Sequence, residues 1–277
     1  MNTPEQSLPA PGWRAHLQLT FAQHAGRTRL VERQHVGPLL VQRPFYPEGP
    51  SCHAYIVHPP GGVVGGDELR MEVDVGVASH TLLTTPAAAK FYRSDGRTAR
   101  QDQILRAEGS VLEWLPQESI FYPRAIVRST TRIELRSGAK FIGWELACLG
   151  LPARDQPFHA GELRLSLELW VEGLPLLMDR LRINGAEGLT GTRWGLGGHE
   201  AIGTMLVYPA TSAMVDAVRS LQPRGVELGV TLVDNVLVCR ALAAQAEPIK
   251  RTFVECWRTL RPLLIDRPAV PPRIWAT

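Results

Sequence analysis

Cysteine is scarce in this chain, and what there is does not pair. The 277 residues hold four, Cys52, Cys148, Cys239 and Cys256, far apart and with no CxxC spacing. That excludes a disulfide framework and a cysteine zinc site. With no apolar leader in the polar, proline-rich opening MNTPEQSLPAPGW, a reducing cytoplasm is the expected location. Long apolar runs are missing too. No stretch approaches the ~18 uninterrupted apolar residues of a membrane-spanning helix. Charge of one sign is also lacking: 30 Lys and Arg against 27 Asp and Glu leave a formal +3. So small a sum implies neither nucleic acid nor a membrane surface as partner. GxSxG, HExxH and GxxxxGK[ST] are absent, which removes the common signatures of a serine hydrolase, a zinc protease and a P-loop nucleotidase. The eight histidines are scattered singly. The Gly-Leu-Gly-Gly run at 195–198 opens no helix in a βαβ setting.

What is present is alternation. Trp13, Ala15, Leu17, Leu19 and Phe21 lie two apart with polar residues between them, the mark of a half-buried strand. Thr28 to Gln34 returns as a second strand after Gly26. The same period recurs in Met71, Val73 and Val75, in Ile133 and Leu135, and in Leu163, Leu165, Leu167, Leu169 and Val171. Val230–Val233 and Val236–Cys239 flank Asp234-Asn235, a two-residue hairpin turn whose residues tolerate positive φ. Two segments read as helix. One is capped by Thr211 or Ser212, carries Met214, Val218 and Leu221 as its stripe, and stops at Pro223. The other runs from about Glu247 to Ile265, with Ile249, Phe253, Trp257, Leu260 and Leu264 on one face, and Pro262 should kink or end it early. The expected fold is therefore mainly β: many strands in stacked or wrapped sheets forming one large domain over 13–277, two α-helices in its C-terminal part, and a disordered lead over 1–12. No internal repeat is visible.

Four stretches could carry chemistry or contacts. HPPGGVVGGDEL (58–69) is a rigid turn allowing close approach, which delivers Asp67 and Glu68 to the start of a strand. Asp67 either caps the loop backbone or, with His58 and Glu68, faces a cation, since imidazole and carboxylate together suit borderline divalent metals. TTPAAAKFYRS (84–94) predicts a short helical turn capped by Thr85, followed by Lys90, Phe91, Tyr92 and Arg93; its small residues serve either internal packing or a docked partner. In LEWLPQE (112–118), Glu113 and Glu118 are either edge charges or the acidic lining of an internal passage, and Glu145 in Gly143-Trp144-Glu145 and Asp179 in LLMDRL (176–181) raise the same choice. A carboxylate in dry core would cost several kcal/mol, whereas one facing a water-filled channel is tolerable. Last, Arg261, Arg273, Ile274 and Trp275 lie in LRPLL and PRIWAT, where the terminus is expected to fold back. The late arginines and lysine, from Arg240 to Arg273, make either a solvated face or a patch for an acidic partner.

These stretches, with QHVGPLLVQRPFYPEG (34–49), LEWLPQESIFYP (112–123) and GWELACLGLP (143–152), occur in the order found in the UreD/UreH family of urease accessory proteins, and the chain resembles that family from residue 13 to 277. It departs from the family pattern at Leu151, where arginine is common, and at Arg124, where a small residue is usual. The resemblance implies a β-rich chaperone, not an enzyme, that helps load nickel into apo-urease. It implies the accessory protein UreF and the GTPase UreG as partners, UreE as an indirect one, and a heteromeric complex such as a dimer of heterotrimers. Nickel(II) would pass transiently through a water-filled tunnel, with no tightly bound cofactor. Asp67, Glu68 and His58 are the expected entry, Glu145 and Asp179 further weak stations. Lys90, Phe91, Tyr92, Arg93, Trp257, Arg261, Arg273, Ile274 and Trp275 are the expected partner-binding residues. Two other readings stand beside it: a docking scaffold without a metal path, and a small hydrolase using Asp67, Glu68 and His58.

Overall fold

The computed structural model describes residues 12–276. All but Gly12 of the lead expected over 1–12, and Thr277, lie outside the described residues. Seventeen strands follow in chain order: β1 Arg14–His24, β2 Arg27–Val36, β3 Leu40–Val41, β4 Cys52–Val57, β5 Glu68–Val75, β6 His80–Thr84, β7 Ala89–Phe91, β8 Ala99–Glu108, β9 Val111–Trp114, β10 Ser119–Phe121, β11 Ile126–Arg136, β12 Lys140–Leu149, β13 Glu162–Val171, β14 Leu174–Asn184, β15 Ala201–Tyr208, β16 Glu227–Val233 and β17 Val236–Ala243. The two helices are α1, Ser212–Arg219, and α2, Ala246–Ile265. The protein is mainly β with two late helices, as its alternation indicates.

The strands form two sheets. The first has the order β14-β13-β11-β8-β5-β1-β2, and the second runs β16-β17-β15-β12-β9-β6-β4-β3 with β10 beside β12 and β7 beside β10. The centre of each is parallel: β1, β5, β8, β11 and β13 in the first, β4, β6, β9 and β12 in the second. The chain passes five times from the first sheet to the second, at β2 to β3, at β14 to β15 and, between parallel strands, at β5 to β6, β8 to β9 and β11 to β12. Glu68, Arg100 and Arg128 therefore stand in one register row, and His80, Val111 and Lys140 in another. This is a coiled repeat of roughly 30 residues, contrary to the absence of any repeat in the sequence. The reason is that the three turns between these parallel strands, 76–79, 109–110 and 137–139, differ in length and in the order and spacing of the one glycine and one serine that each contains.

Burial explains which strands the sequence reveals. The first sheet packs one face inward and leaves the other wet, so β1 buries Ala15, Leu17, Leu19 and Phe21 alternately. Trp13 does not extend this row; it precedes the strand and is 64% exposed. The second sheet is covered on both faces. One core lies between the sheets, and another lies between the second sheet and the helices, with Trp144, Met205, Cys239, Phe253 and Trp257 at its centre. A doubly covered strand has no wet face to alternate with, and β12 accordingly buries almost every residue.

Local expectations met different fates. Asp234 and Asn235 have φ of 44° and 64°, the turn between β16 and β17 that two positive φ values define. Helix α1 buries Met214, Val215 and Val218 and ends before Pro223, although the Thr211 hydroxyl makes no capping bond. Pro262 does not end α2, which continues to Ile265. Its ring lies on the exposed face, where solvent can serve the carbonyl deprived of an N–H, while Leu260 and Leu264 hold the last turn on the core. No helical turn forms after Thr85; that hydroxyl accepts from the Gln117 N–H instead, and Ala89–Phe91 pairs with β10. Arg124 has a φ of 70°, a left-handed conformation that favours glycine over any residue with a Cβ.

Candidate functional site between the sheets

The glycines of 58–69 do what close approach requires. A Cβ on Gly62 would fall 2.4 Å from the Tyr92 ring, and one on Gly65 would fall 2.4 Å from the Ser94 hydroxyl. The turn thus packs directly on 84–94, a second stretch with sequence character of its own. Between them opens a cavity of about 330 Å³. Its wall includes His58, Thr85, Lys90, Asp102, Trp114, Gln117 and Glu145, so all of the stretches 58–69, 84–94, 112–118 and 143–145 contribute. A second cavity of about 240 Å³ continues the space between the sheets and is lined by Thr131, Asp179, Arg180, Thr204 and Arg240. Ser119 and Glu145 line both cavities and form the junction.

Glu145 is the residue on which this geometry turns. Its Oε1 accepts from Trp114 Nε1 at 2.8 Å and from Thr131 Oγ1 at 2.9 Å. It sits deep between the sheets yet keeps some accessible surface, which faces the cavities. Burial pushes its pKa up; the bonds from Trp114 and Thr131 act against that. At the wall of the first cavity, burial lowers the pKa of His58, opposed by the nearby charge of Asp67, which leaves a neutral imidazole with a lone pair to offer. Asp179, in the second cavity, accepts from Thr204 Oγ1 at 3.1 Å and pairs with Arg240 at 2.9 Å. A carboxylate already shared with a guanidinium holds a cation weakly. The walls of the two cavities thus present one imidazole, of His58, and three carboxylates, of Asp102, Glu145 and Asp179, spread out rather than caged, and no cluster of three or more His, Cys, Asp or Glu suited to a metal occurs among the described residues.

Asp67 and Glu68 are placed differently from this row. Asp67 is buried, with Oδ1 accepting from the Trp13 N–H at 2.8 Å and Oδ2 from the Val64 N–H at 2.9 Å. Of the two roles open to it in sequence, its contacts are those of a backbone cap. Glu68 points to solvent and pairs with Arg14 at 3.5 Å. Neither lines the two cavities. The expected partner-contacting residues divide likewise. Lys90, Arg93 and Arg273 are exposed, and Tyr92, Ile274 and Trp275 are half-buried. Phe91, Trp257 and Arg261 are fully buried, which corrects their reading as surface contacts. Phe91 stacks on Phe121. Trp257 and Arg261 serve a buried network that sequence reading divided into separate pieces. Glu113, fully buried, accepts from Trp257 Nε1 at 2.6 Å and Arg261 Nε at 3.0 Å and bonds His80 Nε2 at 2.6 Å. The second carboxylate of the network, Glu48, takes Arg261 Nη2 at 2.7 Å and His53 Nε2 at 2.7 Å. The terminus does fold back: Trp275 packs on Trp144 and Trp257 and donates to Thr84 Oγ1 at 3.0 Å. Missed in sequence were Asp102, Ser119 and Thr131 on the cavity walls, and Arg240 was read there only as part of the basic late stretch. Thr131 and Ser119 carry no signal in a single chain, because a hydroxyl in a strand looks like any other.

Comparison with known proteins gives a consistent result. The family model described as UreD urease accessory protein matches residues 14–276. The urease accessory protein UreD of Alkalilimnicola ehrlichii is 45% identical over 278 residues, covering 99% of this chain and 95% of its own. That of Pseudomonas putida strain W619 is 46% identical, covering 99% and 98%, and that of Klebsiella aerogenes is 44% identical, covering 96% and 97%. With a model matched along nearly its whole described length and relatives matched end to end at this identity, the chain belongs to the UreD family of urease accessory proteins.

Proposed function

We propose that this protein serves urease maturation as a cytoplasmic carrier of nickel(II), with no reaction of its own, passing the ion through the space between its two sheets toward apo-urease. The observation that carries the reading is the pair of cavities meeting at Glu145. A conduit must release its cargo, so weak successive oxygen and nitrogen ligands serve it better than one tight site: nanomolar affinity is worth about −12 kcal/mol, micromolar about −8. His58 would supply a neutral imidazole in the first cavity, Glu145 a carboxylate at the junction, and Asp179, released in part from Arg240, a carboxylate in the second. Asp67 enters only as the residue that fixes the turn bearing His58. In this reading UreF and the GTPase UreG dock on the exposed surface, which includes Lys90, Arg93 and Arg273, and UreE supplies nickel indirectly.

Glu145→Gln is the discriminating variant, because glutamine keeps an oxygen for Trp114 and Thr131 and loses only the charge. In a complex reconstituted with urease and the other accessory proteins, it should fold and assemble normally yet deliver several-fold less nickel to urease. Glu68→Gln, on the solvent face, should deliver as much as the unaltered chain. Equal delivery by both variants would leave the docking scaffold as the better reading.

A further inference from the structure

A third cavity, of about 420 Å³, lies at the opposite kind of place in the fold, among the crossing turns that join the two sheets. Ala78 and Ser79, Gly109 and Ser110, and Gly138 bring all three turns to its wall, and Ile265 at the end of α2 and Arg267 beyond it close one side. Unlike the cavities between the sheets, its wall holds no carboxylate. It holds Lys140, Arg267 and His80 with the hydroxyl residues Thr28, Ser51, Ser79 and Ser110.

Several of these groups are already occupied. His80 is committed to Glu113 through Nε2 and to Ser51 through Nδ1. The Thr28 hydroxyl accepts from the His80 N–H, and the Ser110 hydroxyl donates to the Val75 carbonyl. The two long cations are less fully engaged. Lys140 Nζ donates to the Leu264 carbonyl at 2.8 Å, using one of its three donors. Arg267 Nη1 donates to Ser51 Oγ at 3.2 Å, using one of five. No Asp or Glu among the described residues lies within ion-pair distance of either. Ser79 adds an independent sign: it is 2% exposed, and its Oγ has no hydrogen-bond partner. Leaving a buried hydroxyl unmade costs about 1–3 kcal/mol, a defect that a ligand or a small shift of the turn would relieve. Lys140 and His80 share a register row two strands apart, about 10 Å at the backbone, a span that long side chains close easily.

We propose that this cavity binds a small, multiply charged oxyanion of phosphate type, held by Lys140 and Arg267. Two cations without a carboxylate, in a polar recess walled by backbone turns, match such an anion in charge and in donors, whereas a cation or an apolar ligand would find nothing there to hold it. The inference does not depend on the nickel reading, because the site shares no wall residue with either cavity between the sheets.

Isothermal titration of the full-length protein with inorganic phosphate at fixed ionic strength, against sodium chloride as control, tests it. Saturable binding of one phosphate is expected, weakened about tenfold by Lys140→Gln or by Arg267→Gln and lost in the pair. Should Lys140→Gln loosen α2, seen by circular dichroism, Arg267→Gln alone carries the test, since it gives up one hydroxyl contact. A parallel arm with adenosine monophosphate separates free phosphate from a phosphoryl group on a larger molecule: tighter binding there assigns the latter, weaker binding the former, and either supports the site. No saturable phosphate or monophosphate binding up to about 10 mM, or undiminished binding by the double variant, overturns it.

Discussion

Glu113 and Glu145 stand close in the fold's logic and opposite in their chemistry. Both are carboxylates deep in the protein. Burial alone would push Glu113 up, but the hydrogen bonds and charges of His80 and Arg261 outweigh it and hold the pKa at about 2. Its stabilising contribution is therefore complete above the ordinary glutamate pKa, roughly 4.3, and is lost as pH falls from there toward 2. Glu113→Ala leaves Arg261 with Glu48 as its one carboxylate partner and frees the Trp257 N–H and His80, and it should destabilise by about 3 kcal/mol, read as a lowered urea midpoint at neutral pH. A midpoint unchanged at pH 7 would show that the network is not holding α2. Glu145 has burial on its side, so its pKa is raised. Ionising it costs stability as pH rises through that value, and a metal that needs the carboxylate loses its station as pH falls through it. Nickel delivery should accordingly decline on acidification sooner than an ordinary surface carboxylate would dictate, and Glu145→Gln should abolish that pH dependence. Asp67→Ala belongs to a third type. It frees two backbone N–H groups, of Trp13 and Val64, and should lower stability by about 1–3 kcal/mol, so a stability measurement must accompany any activity loss assigned to it.

At the level of elements, what could be read from the chain follows from which faces are wet. The strands that announce themselves by alternation, β1, β5, β11 and β13, all belong to the sheet with a solvent face. β4, β6, β12 and β15 lie in the sheet covered twice, and their apolar runs have no period to betray them. The coil repeat escaped notice because unequal turns break the interval. The candidate site shows the same limit. Four of the motif stretches converge on one cavity, but which carboxylate faces it depended on tertiary packing: Glu145 does, Asp67 and Glu68 do not. The C-terminal segment was legible from composition, since Ile274 and Trp275 would be costly in water. Trp275 covers Trp144 and Trp257, and Lys250 lies over its ring. Removing 271–277 should expose these tryptophans, shift their fluorescence to longer wavelength and lower the melting temperature. An unshifted spectrum would mean that the tail contributes nothing to the cover of α2.

The whole molecule is three layers: a sheet with one wet face, a sheet buried on both, and a helical cover fixed by the Glu113–Arg261–Glu48 network. The helices and network brace the outer side of the second sheet, which leaves the inner gap free to depart from dry packing and to hold cavities with polar walls. If nickel crosses that gap, it passes Ser119 and Glu145, where the two cavities meet. The most direct measurement is therefore the nickel content of urease matured in the presence of Ser119→Phe, a variant that fills the junction while keeping every carboxylate, with assembly and fold checked by gel filtration and circular dichroism. An intact complex that leaves urease largely without nickel is the expected result. A full complement of nickel from a folded, plugged variant would contradict passage between the sheets.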